Sequence, residues 1–173
     1  DMGLGYQQEA TLLSAFPGTG KTHFYEASDK LVLDSDSSKF DKKYFPENYI
    51  QYIKDNTSRA DVICISSHKE VRDSLTASGL HFKLVYPDRS LKEHYLSRYK
   101  QRGSPSEFIE LVESNWDNWM DEMENQVGCE HIVLQENQFV SDVMRDHPVT
   151  TSQLSEDEKE LARHSANAIK EKE

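Results

Sequence analysis

Residues 15–22 read Ala-Phe-Pro-Gly-Thr-Gly-Lys-Thr and follow directly on the apolar run Thr11-Leu12-Leu13. No other stretch constrains the fold of this chain as strongly. A glycine-rich loop after an apolar run predicts a buried strand, a tight loop and a helix beginning near Lys21. Glycines let successive backbone N–H groups converge on one anion, and the helix N-terminus behind them adds a partial positive charge. The spacing is that of the phosphate-binding (Walker A) loop, G-x-x-x-x-G-K-[ST], with Ala15 where the first glycine is usual. Pro17, Gly18, Thr19, Gly20, Lys21, Thr22 and His23 are therefore expected to surround a nucleoside triphosphate, ATP being the expected one. Lys21 would reach the β- and γ-phosphates, and the Thr22 hydroxyl would meet Mg²⁺.

Strand and helix signals alternate along the rest of the chain. Apolar or β-branched runs at 10–15, 31–33, 61–66, 82–86 and 131–134 read as short strands. Helical spacing is expected over 21–27, from Pro46 to about Asn56, over 70–78 and over 91–101. A long amphipathic helix carries Phe108, Val112, Trp116, Trp119, Met120 and Met123 on one face. Those bulky residues are read as core. Strands alternating with helices predict a three-layer α/β/α fold on a mainly parallel five-stranded sheet. The domain is expected to span residues 10–147, followed over 148–173 by a polar linker and a surface helix at Glu156–Lys170.

In such sheets ligands bind at the carboxyl ends of the strands, so the residues placed there are the candidates. Asp34 and Asp36 flank Ser35 after Leu31-Val32-Leu33. Carboxylates at i and i+2 of an extended segment share a side. Beside a metal–nucleotide loop, one can serve Mg²⁺ and the other can accept a proton from an attacking hydroxyl. The sequence leaves open which does which; a polar turn capping the strand is the other reading. Arg98 and Arg102, four apart on one helix face, are candidate cations for a transferring phosphoryl group. The break Gly103-Ser104-Pro105 after them suggests a short lid over 98–107. His68, Lys69 and Arg72 follow another strand end and are candidate substrate contacts.

The chain has 173 residues, enough for one domain with a real core, and 29% charged against 36% hydrophobic residues, a globular balance. Its net charge of −11 disfavours a nucleic-acid backbone as the main partner. The longest apolar runs fall well short of a membrane span of about 20 residues, and a secretory leader pattern is not recognised. Cys64 and Cys129 are expected as buried thiols in a reducing cytoplasm. Oligomeric state is not legible.

The order of these motifs, with Ser66-Ser67-His68-Lys69-Glu70-Val71-Arg72-Asp73 and Leu84-Val85-Tyr86-Pro87-Asp88 between loop and arginines, resembles the P-loop kinase superfamily of nucleotide, nucleoside and small-metabolite kinases over about residues 10–145. It is also similar to small P-loop kinase-like proteins of bacteriophages. Asp34-x-Asp36 resembles shikimate-type kinases, in which such carboxylates serve Mg²⁺ and the substrate hydroxyl. Residues 66–73 and Leu111–Asn115 are similar to gluconate-type kinases. The resemblance implies ATP/Mg²⁺-dependent transfer of a phosphoryl group to a hydroxyl of a small molecule, such as a nucleoside or nucleotide. Under it Lys21, Asp34, Asp36, Arg98 and Arg102 would be catalytic. Ala15 and the short lid depart from the superfamily's commoner patterns. Close after strand two there is none of the arginine that monophosphate-binding kinases often have, so Arg59 and Arg72 would have to serve. Two rival readings remain: a kinase for a hydroxymethylated base in DNA, and a nucleotide-binding switch or inhibitor. A guanine-specifying Asn/Thr-Lys-x-Asp signature is not found at a late strand end, which disfavours a GTPase.

Overall fold

The computed structural model of the chain describes residues 9–144. The expected surface helix at Glu156–Lys170 and its linker lie outside the described residues. Five strands form one all-parallel sheet: β1 (Thr11–Ala15), β2 (Val32–Asp34), β3 (Val62–Ile65), β4 (Phe82–Pro87) and β5 (Cys129–Leu134). Their order across the sheet is β2-β3-β1-β4-β5. The register pairs Leu12 with Ile63, Leu13 with Lys83, Leu33 with Ile63 and Val85 with Ile132.

Among the described residues five α-helices connect the strands, α1 (Lys21–Ala27), α2 (Glu47–Asn56), α3 (Lys69–Ala77), α4 (Lys92–Gln101) and α5 (Ser106–Glu124), and a sixth, α6 (Val140–Met144), follows β5. β1 to β4 are mostly apolar and buried because helices cover both faces of the sheet there, whereas the edge strand β5 is mostly exposed. Successive side chains point to opposite layers. On one face Leu12, Leu33, Ile63, Ile65, Leu84 and Tyr86 pack against α2, α3, α4 and α5. On the other, Leu13, Val32, Val62, Cys64, Val85 and Leu134 pack against α1 and α6. This is the three-layer α/β/α fold expected from the alternation of signals.

The tryptophan helix is core, as its spacing predicts. Trp116 is 1% exposed, and its indole Nε1 donates to the Arg89 carbonyl at 3.0 Å. Cys64 is fully buried, where the low-polarity surroundings push its thiol up to about 12. Cys129 departs from expectation: it is only half-buried, because β5 is an edge strand. Among the described residues no helix is long and apolar enough to cross a membrane.

The short helix α6 carried no sequence signal strong enough to place it. It matters because it closes over the glycine-rich loop. Phe139 leads into it, and the Val140 amide donates to the Thr19 carbonyl at 2.9 Å.

Candidate active site

The loop begins where β1 ends. The Phe16 amide continues the sheet by donating to the Val85 carbonyl at 2.9 Å. The Phe16 ring is held edge-on by Trp116, Trp119 and Tyr95, with centroids 5.7–6.4 Å away. From there each carbonyl of the loop is taken by a donor. Thr19 Oγ1 donates to the Phe16 carbonyl at 2.7 Å, and Tyr99 Oη to the Pro17 carbonyl at 2.7 Å. The Arg98 guanidinium donates to the Gly18 carbonyl, and Val140 to that of Thr19. By contrast, the N–H groups of Gly18, Thr19, Gly20, Lys21 and Thr22 meet no acceptor among the described residues outside α1 itself. A loop with its carbonyls held and its amides open can receive an anion.

Two glycines are required by this geometry. Gly18 and Gly20 have φ of +86° and +89°, a left-handed region that side chains rarely adopt. A Cβ on Gly18 would stand 2.8 Å from Tyr99 Cε1, and one on Gly20 would stand 3.2 Å from the Phe139 ring.

At the end of β2, Asp34 and Asp36 both line the same cleft as the loop, as their i, i+2 spacing predicts, while Ser35 between them points inward. Lys21 Nζ stands 3.3 Å from Asp34 Oδ1. That oxygen is fully buried and accepts no hydrogen bond, the ammonium lying outside bonding geometry. Asp36 does more than one job. Its Oδ1 caps a 3₁₀ turn at Ser37–Lys39 by accepting from the Ser38 amide at 2.9 Å and the Ser38 hydroxyl at 2.7 Å. The Ser38 hydroxyl, then the Ser38 amide, hold its carboxyl below the usual carboxylate range, with smaller help from Lys39 and Lys21. Asp36 therefore caps a turn, as the polar-turn reading expects, and also lines the cleft.

The cleft has a volume of about 500 Å³ and joins the loop, residues 34–37, Ser66, Ser67, His68 and Arg102. Its donor set fits a magnesium–nucleotide. Mg²⁺ takes hard oxygens, commonly one or two from protein and the rest from phosphate and water. The exposed Thr22 and the orphaned Asp34 Oδ1 are such oxygens. Among the described residues no cluster of three or more His, Cys, Asp or Glu could hold a metal unaided, so phosphate oxygens would have to complete the shell.

The remaining candidates separate. Arg102 reaches the cleft, its guanidinium 5.0 Å over the Tyr99 ring and its Nε donating to Ser104 Oγ. Arg98 does not line it. Its guanidinium lies between the rings of Tyr95 and Phe139, 4.3 and 4.6 Å from their centroids, and braces the loop from behind. The expected lid, 98–107, is the end of α4, a short turn and the start of α5. His68 lies at the N-cap of α3 and lines the cleft without capping through its side chain. His23 is exposed on α1 outside the cleft.

Lys69 and Arg72 are not brought to the cleft. Lys69 pairs with Asp73 at 2.6 Å. Arg72 is 2% exposed and spends its donors on the Ser67 carbonyl at 2.8 Å and Gln126 Oε1 at 2.7 Å, with Glu122 3.8 Å away. It faces α5 because α3 turns that side inward. Arg59 follows α2 and precedes β3, at the opposite end of the strands from the loop.

Two contributors escaped the sequence reading. Phe139 supports Gly20 and Arg98; the apolar pair Phe139-Val140 after a polar stretch was the one signal available. Tyr49 reads as an ordinary core position of α2, yet its hydroxyl bonds to Ser35 Oγ at 2.8 Å beneath the two carboxylates. No family model matches the chain, and neither the curated proteins nor the solved structures give a match.

Proposed function

We propose that the chain is an ATP- and Mg²⁺-dependent kinase that transfers the γ-phosphoryl group to a hydroxyl of a small molecule, a nucleoside or nucleotide being the favoured class. The observation that carries this reading is the meeting of two unmet demands in one cleft. Five consecutive loop amides have no acceptor outside α1 among the described residues, and the buried Asp34 Oδ1 beside Lys21 has no hydrogen-bond donor. A polyanion with its divalent cation satisfies both at once.

Each residue then has a part. The amides of residues 18–22 and the Lys21 ammonium bind the phosphates and stabilise the charge that spreads over the transferred group. Thr22 and Asp34 would hold Mg²⁺, which supplies further neutralisation of that charge. Arg102, on the rim, is the arginine within reach of the transferring group. Asp36 lines the same cleft and, held below the usual carboxylate range, is ionised at neutral pH, so it would orient the acceptor hydroxyl and take up its proton. A depressed carboxyl is a weak base. Phosphoryl transfer through a loose transition state asks little proton abstraction before the acceptor oxygen bonds to phosphorus. Orientation is the larger contribution.

The test is ATP consumption with Mg²⁺ against nucleosides, nucleoside monophosphates, sugars and DNA carrying hydroxymethylated bases. Strong stimulation by one class is expected and names the acceptor. Tight ATP binding with no stimulation by any of them would overturn the kinase reading in favour of a nucleotide-binding switch.

A further inference from the structure

Tyr49 lies on α2, outside the cleft, and is fully buried. Phe40 meets its ring edge-on at 5.0 Å and Phe45 stacks on it at 5.8 Å. Its polar end is the informative part. Ser35 Oγ donates to the Cys64 carbonyl at 2.6 Å and so uses its one proton. The 2.8 Å bond between Ser35 and Tyr49 must then run from the Tyr49 hydroxyl to Ser35 Oγ. The same Tyr49 oxygen accepts from the Ser66 amide at 3.2 Å. Beyond it, Ser14 Oγ donates to the Ser66 carbonyl at 3.1 Å.

These bonds form one line across the carboxyl ends of three strands. It starts at Ser14 on β1, next to the root of the loop, and passes through Ser66 at the end of β3. Tyr49 carries it to Ser35, the residue between Asp34 and Asp36. Ser14 and Ser35 are 0% and 5% exposed, so water cannot substitute for lost partners at these two ends of the line without a rearrangement. Burial also pushes the Tyr49 hydroxyl up to about 12, which keeps it a neutral donor at any working pH.

Resting on the kinase reading, we propose that Tyr49 is a positioning residue: its hydroxyl sets where Asp34 and Asp36 stand relative to the Ser66–His68 wall of the cleft. It touches neither nucleotide nor acceptor. It acts by fixing Ser35 from below, so that the carboxylates on either side keep their spacing to the loop. Phe40 and Phe45, packed on its ring, extend this control to the segment that follows Asp36.

Tyr49→Phe keeps the ring and deletes the hydroxyl. Two readouts on the whole chain decide the matter. In the first, the side-chain carboxyl carbon resonances of Asp34 and Asp36 are compared by NMR at one fixed neutral pH. Tyr49→Phe is expected to move both, and to leave those of Asp73 and Asp88, in other parts of the fold, in place. Ser35→Ala, which removes the other end of the bond, is expected to produce the same pattern. In the second, kcat of acceptor phosphorylation should fall roughly 10- to 100-fold, the scale of a small misplacement. The KM for ATP should rise by less than kcat falls, because the loop amides and Lys21 keep their own places. The double variant should be no worse than the poorer single one.

Unmoved Asp34 and Asp36 resonances would overturn the proposal, as would unchanged kcat, or a loss of kcat matched by an equal rise in the KM for ATP. Because the resonance arm needs no acceptor, it decides the positioning role even if no acceptor stimulates turnover. That second result would count against the kinase reading alone.

Discussion

Lys21 and Arg72 show how differently two cations can be used in one small domain. Lys21 is one-third exposed, and its charge is matched only in part by Asp34 at 3.3 Å. Lys21→Ala should therefore cost the fold little and turnover heavily. Loss of one preorganised charge of this kind is worth about 10²- to 10³-fold in rate. Wild-type turnover in a folded Lys21→Ala variant would remove the loop from the mechanism. Arg72 is the reverse case. Its removal empties a buried space and takes the donor from the Ser67 carbonyl and from Gln126 Oε1, so Arg72→Ala should destabilise by about 2–4 kcal/mol. ATP binding at low temperature should survive it. Arg102→Ala should give the mirror result, with unchanged melting and a turnover loss of at least about tenfold. Denaturant titration and initial rates on the two variants, side by side, would expose an exchange of roles. The sequence could not separate these arginines, since 72, 98 and 102 all follow strand ends or share a helix face. The separation depends on which side of α3 and α4 meets α5, and that is a packing outcome.

At the scale of elements, the loop is held by helices that arrive from distant parts of the chain. α4 supplies Tyr99 and Arg98, and the entry to α6 supplies Phe139 and the Val140 amide. Gly18→Ala tests that enclosure. The new Cβ would meet Tyr99 at 2.8 Å while forcing an alanine to φ +86°. Tyr99 would have to give up its bond to the Pro17 carbonyl. The expected outcome is a modest fall in stability, about 1–3 kcal/mol, with a far larger loss of ATP affinity. Calorimetric titration with MgATP would read the second effect directly, and wild-type affinity would mean that α4 does not shape the loop. The five strands, α1 to α5 and the loop were legible in the sequence because each rests on local signals: apolar runs, helical spacing and Gly-x-Gly-Lys-Thr. Asp34 and Asp36 were legible for the same reason. The clasp by Phe139, the brace by Arg98 and the hydroxyl of Tyr49 were not. Each is a contact between residues from 14 to 119 positions apart, and no local pattern encodes which donor finds which carbonyl.

The whole molecule carries a net charge of −11 at neutral pH, with a sequence pI near 5.1. Self-repulsion should therefore relax as pH falls from 7 towards 5, and the melting temperature should rise slightly over that interval. A second, opposite effect follows at lower pH. Asp36, Asp73 and Asp88 are held below the ordinary carboxylate range, chiefly by hydrogen bonds from Ser38, Lys69 and Ser90 respectively. A carboxyl depressed in the folded state stabilises that state when ionised. Its contribution is complete above the unfolded value of about 3.9 and disappears as pH falls through the folded value below it. All three anchor turns or helices: the 3₁₀ turn after β2, the face of α3 towards Gln126, and the turn that leads into α4. Stability should pass through a maximum near pH 5 and fall steeply below about pH 4. Salt separates the two branches. At 0.5 M the Debye length drops to about 4 Å, so the gentle rise between pH 7 and 5 should flatten. The acid branch rests on short hydrogen bonds and should persist. Melting curves from pH 3 to 8 at two salt concentrations, on the wild type and on the Asp36→Asn/Asp73→Asn/Asp88→Asn variant, make the comparison. The variant should lose much of the acid branch. An equally steep fall in the variant would place acid sensitivity elsewhere among the carboxylates, and would remove these three from the account of what holds the cleft's surroundings together.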